Sequence, residues 1–117
     1  MFTISKRFDF SASHRLDGLP ADHQCARLHG HNYSVTLTLK SNELNEVGFV
    51  KDYGELGEVK NYLDKTVEHR HLNDCFDFNP TAENMARHFF QIFTGNYPQL
   101  FSVTVKETDK TSATYER

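Results

Sequence analysis

Three histidines stand where strand geometry could gather them. His29 and His31 are two residues apart, so in an extended chain they project to the same side. His14 closes an earlier alternating segment, on the parity of Phe2, Ile4, Phe8, Phe10 and Ala12, with Lys6 as its one polar break. If the two segments pair antiparallel, the end of the first lies beside the start of the second, and three imidazoles converge at one corner of a sheet. Three neutral nitrogen ligands leave a fourth position open, which is the arrangement of a catalytic zinc rather than a structural one. Imidazole also admits iron, copper or nickel, but zinc is the expected metal. One such histidine alone could be a satisfied sheet-edge residue. Three on converging faces, beside a loop over 15–28 with its own cysteine, argue for a site.

Other residues could work beside a metal. Cys25 has polar neighbours, His23, Gln24 and Arg27, which argue against burial, whereas Cys75 reads as an inert buried thiol. Glu107 follows Phe101, Val103 and Val105 on the apolar face of a strand, where an unpaired carboxylate would cost several kcal/mol. Either it has a partner there or it lies past the sheet, in water. His23 and His71 read as surface histidines, and His88 as a residue on the solvated face of a helix.

The elements that must position these groups follow from periodicity. Residues 2–14 form a half-buried strand. A second begins at His29, with His31, Tyr33, Val35, Leu37 and Leu39 on one face. Asp52-Tyr-Gly-Glu55 resembles a capping box before a helix whose stripe is Leu56, Val59, Leu63 and Val67. Residues 70–80 read as an irregular polar linker. Thr81 then caps a second helix with the stripe Ala82, Met85, Ala86, Phe89, Ile92 and Phe93, ended by Gly95-Asn-Tyr-Pro98. Residues 100–108 alternate again, and 112–116 could be a last strand. The order β–β–α–α–β–β, without repeats, predicts an α+β fold: an antiparallel sheet covered on one face by two helices.

Composition bounds the rest. A chain of 117 residues, 38% hydrophobic and 25% charged, has enough material for one domain, 1–117, with one core. A net charge of -3 without a basic run gives no reason to expect nucleic acid or an anionic membrane as partner. No apolar stretch or signal-peptide block is present, so the expected location is cytoplasmic, where two cysteines are free thiols.

At Cys25-Ala-Arg-Leu-His29-Gly-His31-Asn-Tyr33 the chain resembles the 6-pyruvoyltetrahydropterin synthase family, and more narrowly its bacterial 6-carboxytetrahydropterin synthase branch. The likeness extends through Ser13-His-Arg-Leu16, Val50-Lys-Asp-Tyr53, His69-Arg-His-Leu-Asn-Asp74, Asn79-Pro-Thr-Ala-Glu-Asn84 and Val105-Lys-Glu-Thr108. The three residues between Cys25 and His29 match the carboxy-forming branch, since biopterin-type synthases usually have a longer gap.

The resemblance implies the tunnelling fold (T-fold), as an oligomeric barrel in a homohexamer of two trimers with active sites at subunit interfaces. It implies 7,8-dihydroneopterin triphosphate as the small-molecule substrate. The products would be 6-carboxytetrahydropterin, acetaldehyde and triphosphate, in queuosine and deazapurine biosynthesis. Cys25 matches the family's general base, as a thiolate favoured by a nearby zinc or imidazolium. His69 aligns with its relay histidine, and Glu68 stands where an aspartate is usual. Glu107 would take the pterin's amide edge at the far end of the substrate from the metal. Thr81 is explained by capping and Glu83 by the helix dipole. Two other readings remain open on the same scaffold. One is a pyruvoyl-forming or side-chain-trimming pterin enzyme. The other is a non-catalytic pterin- or metal-binding protein, against which the joint presence of Cys25, His69 and Glu107 argues.

Overall fold

A computed structural model describes all 117 residues. Its frame is the pairing of β1 (Phe2–His14) with β2 (His29–Ser41), antiparallel and unbroken from Phe2 opposite Ser41 to His14 opposite His29. Alternation explains why these segments are strands: Phe8, Phe10, Ala12 and His14 are buried while Arg7 and Asp9 between them are exposed. After β2 come α1 (Gly57–Thr66), the two-residue strand β3 (Arg70–His71), the single-turn helix α2 (Leu72–Cys75) and α3 (Ala82–Phe93). The chain ends with β4 (Leu100–Thr108) and β5 (Thr111–Glu116).

The five strands lie in the order β3-β1-β2-β4-β5. The expected α+β plan is present, but the sheet is mixed rather than antiparallel. β3 runs parallel to β1, with Arg70 beside Ala12 and His71 beside Ser13. A two-residue strand is too short to show any periodicity, so residues 70–71 are indistinguishable in sequence from the linker around them.

The helices cover the apolar face. Leu56, Val59, Leu63 and Val67 are fully buried with Met85, Ala86 and Phe89, in one core shared with Phe10, Val35, Leu37, Leu39, Val103 and Val105. Thr81 caps α3 as expected, its side chain accepting the Asn84 N–H at 3.1 Å. No helix is long and apolar enough to cross a membrane.

Several local expectations are corrected. Asp52 accepts from Gly54 N–H at 2.9 Å and opens a 3-10 turn over Tyr53–Leu56, while Glu55 pairs with Lys51 at 3.2 Å, so no reciprocal capping box forms. The short-range turn bond competes with the longer cap. A register shift at Thr38/Leu39 puts Leu100 opposite Leu39. Leu100 then fills the core, and Phe101 turns out beneath the Lys40 ammonium, 3.7 Å from its ring centre. Ile92 is exposed, and Phe90 takes its place against the sheet. His88 is not on a solvated face. It packs against Phe76 and Phe78 with its Nε2 3.2 Å from the Tyr62 hydroxyl, and burial pushes its pKa down.

Replacing Thr81 by alanine should lower stability by about 1 kcal/mol, the usual cost of a lost N-cap, while Thr81→Ser should be nearly neutral. Urea denaturation of the two variants measures the difference.

Candidate metal centre and active site

The β1–β2 register delivers the three histidines to one point. His14 lies directly opposite His29, and His31 is the diagonal neighbour, opposite Ala12. The ring centres are 4.5 Å (His14–His29), 5.1 Å (His14–His31) and 4.9 Å (His29–His31) apart. One nitrogen from each lies within 4.8 Å of the others, a spacing that can hold a metal ion.

Hydrogen bonds decide which nitrogen each ring offers. His14 Nδ1 is 2.9 Å from the Pro80 carbonyl oxygen, and His29 Nδ1 is 2.7 Å from that of Arg27. A carbonyl can only accept, so both Nδ1 atoms carry the proton and both Nε2 atoms present lone pairs. Those two Nε2 atoms face each other at 3.0 Å, close enough to share one cation. His31 Nε2 is buried and without a hydrogen-bond partner. Burial holds the pKa of His14 below its ordinary value, against the opposing pull of Pro80 and Glu107, and does the same for His31. His14 and His29 thus have their outer nitrogens fixed by the backbone, as metal-binding histidines require.

Around them the chain builds a cavity of about 410 Å³ lined by Gln24, Cys25, His29, His31, Glu107, Thr108 and Thr111. Cys25 sits on a short turn (Gln24–Ala26) whose N-cap is His23, the imidazole accepting the Cys25 N–H at 3.0 Å. His23 thus shapes the loop that carries the thiol.

Glu107 does not lie at a remove from the metal ligands. Its Oε2 is 3.1 Å from His31 Nε2 and 3.9 Å from His14 Nε2. The register explains this: Glu107 lies one step beyond the last β2–β4 pair, Ser34–Lys106, on the face that carries Tyr33 and His31. A second, smaller cavity continues from Glu107 and Thr111 to Glu83 on the first turn of α3. Helix-dipole pairing alone accounts for Glu83 in the sequence. Its only signal was a place in the Asn-Pro-Thr-Ala-Glu-Asn stretch.

Glu68 and His69 are held together but elsewhere. Glu68 Oε1 accepts from His69 Nδ1 at 2.7 Å and from the Ser11 N–H at 3.0 Å, and these bonds, the Ser11 one foremost, lower the Glu68 pKa. The extra methylene relative to aspartate therefore does not prevent contact. His69 has φ 56, left-handed, with its N–H on the Ser11 carbonyl at 2.6 Å and its side chain 82% exposed. It borders a groove with Ser11, Ala12, Ser13, Gly30, His31 and Asn32. His71 is no free surface histidine: its Nδ1 is 3.0 Å from Ser13 Oγ on the same side. One chain gathers His14, His29 and His31, with Cys25 and Glu107 on the cavity beside them, while Glu68 and His69 do not line that cavity.

Fold and site together define a histidine metal centre on an α+β scaffold, opening into a cavity with a thiol and a carboxylate. The 6-pyruvoyl tetrahydropterin synthase family model matches residues 3–117, and the chain belongs to that family. It is 35% identical to the 6-carboxy-5,6,7,8-tetrahydropterin synthase of Synechocystis, over 98% of this chain and 93% of that one. It is 29% identical to the Bacillus subtilis enzyme of the same name, over 97% and 84%. Among solved structures, Caenorhabditis elegans 6-pyruvoyl tetrahydropterin synthase superposes with a TM-score of 0.86 at 29% identity, covering 99% of this chain and 95% of that one.

The purified protein should carry one divalent ion per chain, and replacing His14, His29 or His31 by alanine should abolish it. Elemental analysis decides this, and full metal retention in the triple variant would remove the centre. Metal-free protein should also lose stability in acid. The unfolded chain protonates its histidines near 6.5, but folded His14 and His31 resist protonation. Their contribution is therefore complete above about pH 6.5 and lost as pH falls through their lower folded values. Thermal melts of the metal-free protein against pH should show that decline, reduced in His14→Ala.

Proposed function

We propose that the chain is a zinc-dependent carbon–carbon lyase that converts 7,8-dihydroneopterin triphosphate to 6-carboxytetrahydropterin, acetaldehyde and triphosphate. The observation that carries this reading is the convergence of three imidazole nitrogens, within 4.8 Å of one another, beside a cavity also lined by Cys25 and Glu107. The carboxy-forming branch is favoured by the relatives of that name and by the Cys25–His29 spacing.

Zinc held by His14, His29 and His31 would polarise the substrate's side-chain hydroxyls and stabilise developing oxyanions. Cys25, across the same cavity, is placed to take a proton from the side-chain carbons. Glu107, against His31, would accept hydrogen bonds at the metal end of the substrate. That leaves Glu83, in the adjoining cavity that shares Glu107 and Thr111, as the carboxylate for the pterin's amide edge, which donates two hydrogen bonds.

His69, oriented by Glu68, would relay protons in a neighbouring subunit's site, because within its own chain it does not line the cavity that holds Cys25. A hexamer of two trimers would satisfy this. Both outer strands support assembly, since β3 covers only Ala12–Ser13 of β1 and nothing pairs with the far side of β5.

Incubation with 7,8-dihydroneopterin triphosphate and mass spectrometry tests the reaction. 6-Carboxytetrahydropterin with acetaldehyde is the expected outcome, and a pyruvoyl product or untouched substrate would refute the assignment. Cys25→Ala and His69→Ala should each lose about 10²-fold or more in kcat, as acid–base groups do. Mixed and reassembled, the two variants should regain part of the activity, because some interfaces then hold an intact Cys25 and an intact His69. Absence of any recovery would return both residues to one chain's site.

A further inference from the structure

Tyr33 is 1% exposed, and its hydroxyl has no hydrogen-bond partner. The ring is well accounted for. It stacks on Phe10 at 4.8 Å, nearly parallel, and meets the edges of His31 at 5.4 Å and His14 at 5.8 Å. Phenylalanine would serve that packing equally well and spare the cost of burying an unpaired hydroxyl. The hydroxyl therefore needs a reason to be there, and its surroundings supply one. Glu107 stands one step beyond the Ser34–Lys106 pair on the same face, and it and Tyr33 both lie against His31, at 3.1 Å from its Nε2 and 5.4 Å between ring centres respectively.

Glu107 has its own difficulty. As the chain stands, its carboxylate leans on His31 Nε2 at 3.1 Å and His14 Nε2 at 3.9 Å. With a metal ion on those nitrogens, neither could offer the carboxylate a proton. Glu107 must then either become a fourth ligand or find another donor. With the carboxylate bound, the centre would be closed, like a structural zinc site, and no substrate hydroxyl could reach the ion. Tyr33 carries a buried unspent donor on the same face, beside His31. We propose that Tyr33 is a positioning residue whose hydroxyl holds Glu107 away from the bound metal and so keeps the fourth coordination position open. This rests on the metal-centre reading above and adds to it the device that makes the centre catalytic.

The test uses cobalt(II) as a visible-spectrum probe metal and azide as the probe of an open position. Cobalt-loaded wild type should bind azide with a shift in its visible bands. Tyr33→Phe should weaken azide binding and tighten cobalt binding, each by about 10-fold or more, the size outer partners of metal ligands commonly show. The metal-free Tyr33→Phe protein should melt no lower than wild type, since an unpaired buried hydroxyl has been removed. Tyr33→Phe combined with Glu107→Ala should restore azide binding, because the carboxylate that closes the site is gone. Glu107→Ala alone should keep both cobalt and azide, and this variant decides the matter should Tyr33→Phe fail to fold. Loss of cobalt from Glu107→Ala would make Glu107 a ligand and overturn the proposal. So would azide and cobalt affinities in Tyr33→Phe equal to wild type, or a Tyr33→Phe defect that persists without Glu107. Wild type that takes up no cobalt would overturn the metal reading itself.

Discussion

The register between β1 and β2 is the constraint on which the rest depends. Along one face of this ladder Ile4 meets Leu39, Phe8 meets Val35, Phe10 meets Tyr33, and then, without a break, His14 meets His29. Each apolar or aromatic cross-strand pair stabilises its register by a few tenths of a kcal/mol to about 1 kcal/mol. A slip of one residue would turn a whole set to the wrong face. The hydrophobic pairs in the middle of the ladder thus determine where three imidazoles stand at its end. The metal centre is assembled by core packing before any metal arrives. The cost of crowding three nitrogen donors is met by the same burial that holds the helices on the sheet.

Burial also sets the chemistry of those donors. A histidine in water is partly protonated near neutral pH and cannot then ligate. His14 is fully enclosed and His31 partly so, and desolvation disfavours their charged forms. The backbone completes the arrangement. Pro80, just before α3, and Arg27, just before β2, each aim a carbonyl at an outer nitrogen. Two segments far apart in sequence therefore fix the tautomers of two adjacent rings. The Asn79–Asn84 stretch, whose capping explains α3, also orients His14 through Pro80.

What could be read from the sequence, and what could not, divides along physical lines. The triad was legible because strand parity and antiparallel pairing are short-range rules, and they carried His14, His29 and His31 to one corner. The helices were legible from Leu56, Val59, Leu63, Val67 and the α3 stripe. β3 was not, since two residues have no period. Phe101 and Leu100 exchanged roles because a bulge changes parity, and only the partner strand determines where a bulge falls. Glu107 was correctly placed on the buried face, but its neighbours depend on which strand lies across from it. The β2–β4 register sets that, and no residue spacing records it. The hydroxyl of Tyr33 was invisible for a related reason. A tyrosine in an apolar stripe reads as core, and only the absence of a partner at its tip distinguishes it.

The segment at Glu68–His69 shows how the fold handles an edge. β1 is an outer strand for most of its length, and an exposed edge invites pairing. At Ser11 both backbone groups are taken: the carbonyl by His69 N–H, the N–H by the Glu68 carboxylate. A left-handed residue other than glycine costs about 1–2 kcal/mol, and these two bonds offset it. Beyond Ser11, β3 covers Ala12 and Ser13, so the edge is closed at the histidine end of β1. From Phe2 to Phe10 no strand of the same chain pairs along it. The strained turn thus seals the edge where the metal centre needs rigidity and leaves the remainder free for another chain. It also holds His69 outward, 82% exposed, at the boundary between sealed and open edge. With its Nδ1 fixed by Glu68 at 2.7 Å, the ring keeps one nitrogen free and facing outward at the point where the sealed part of the edge ends.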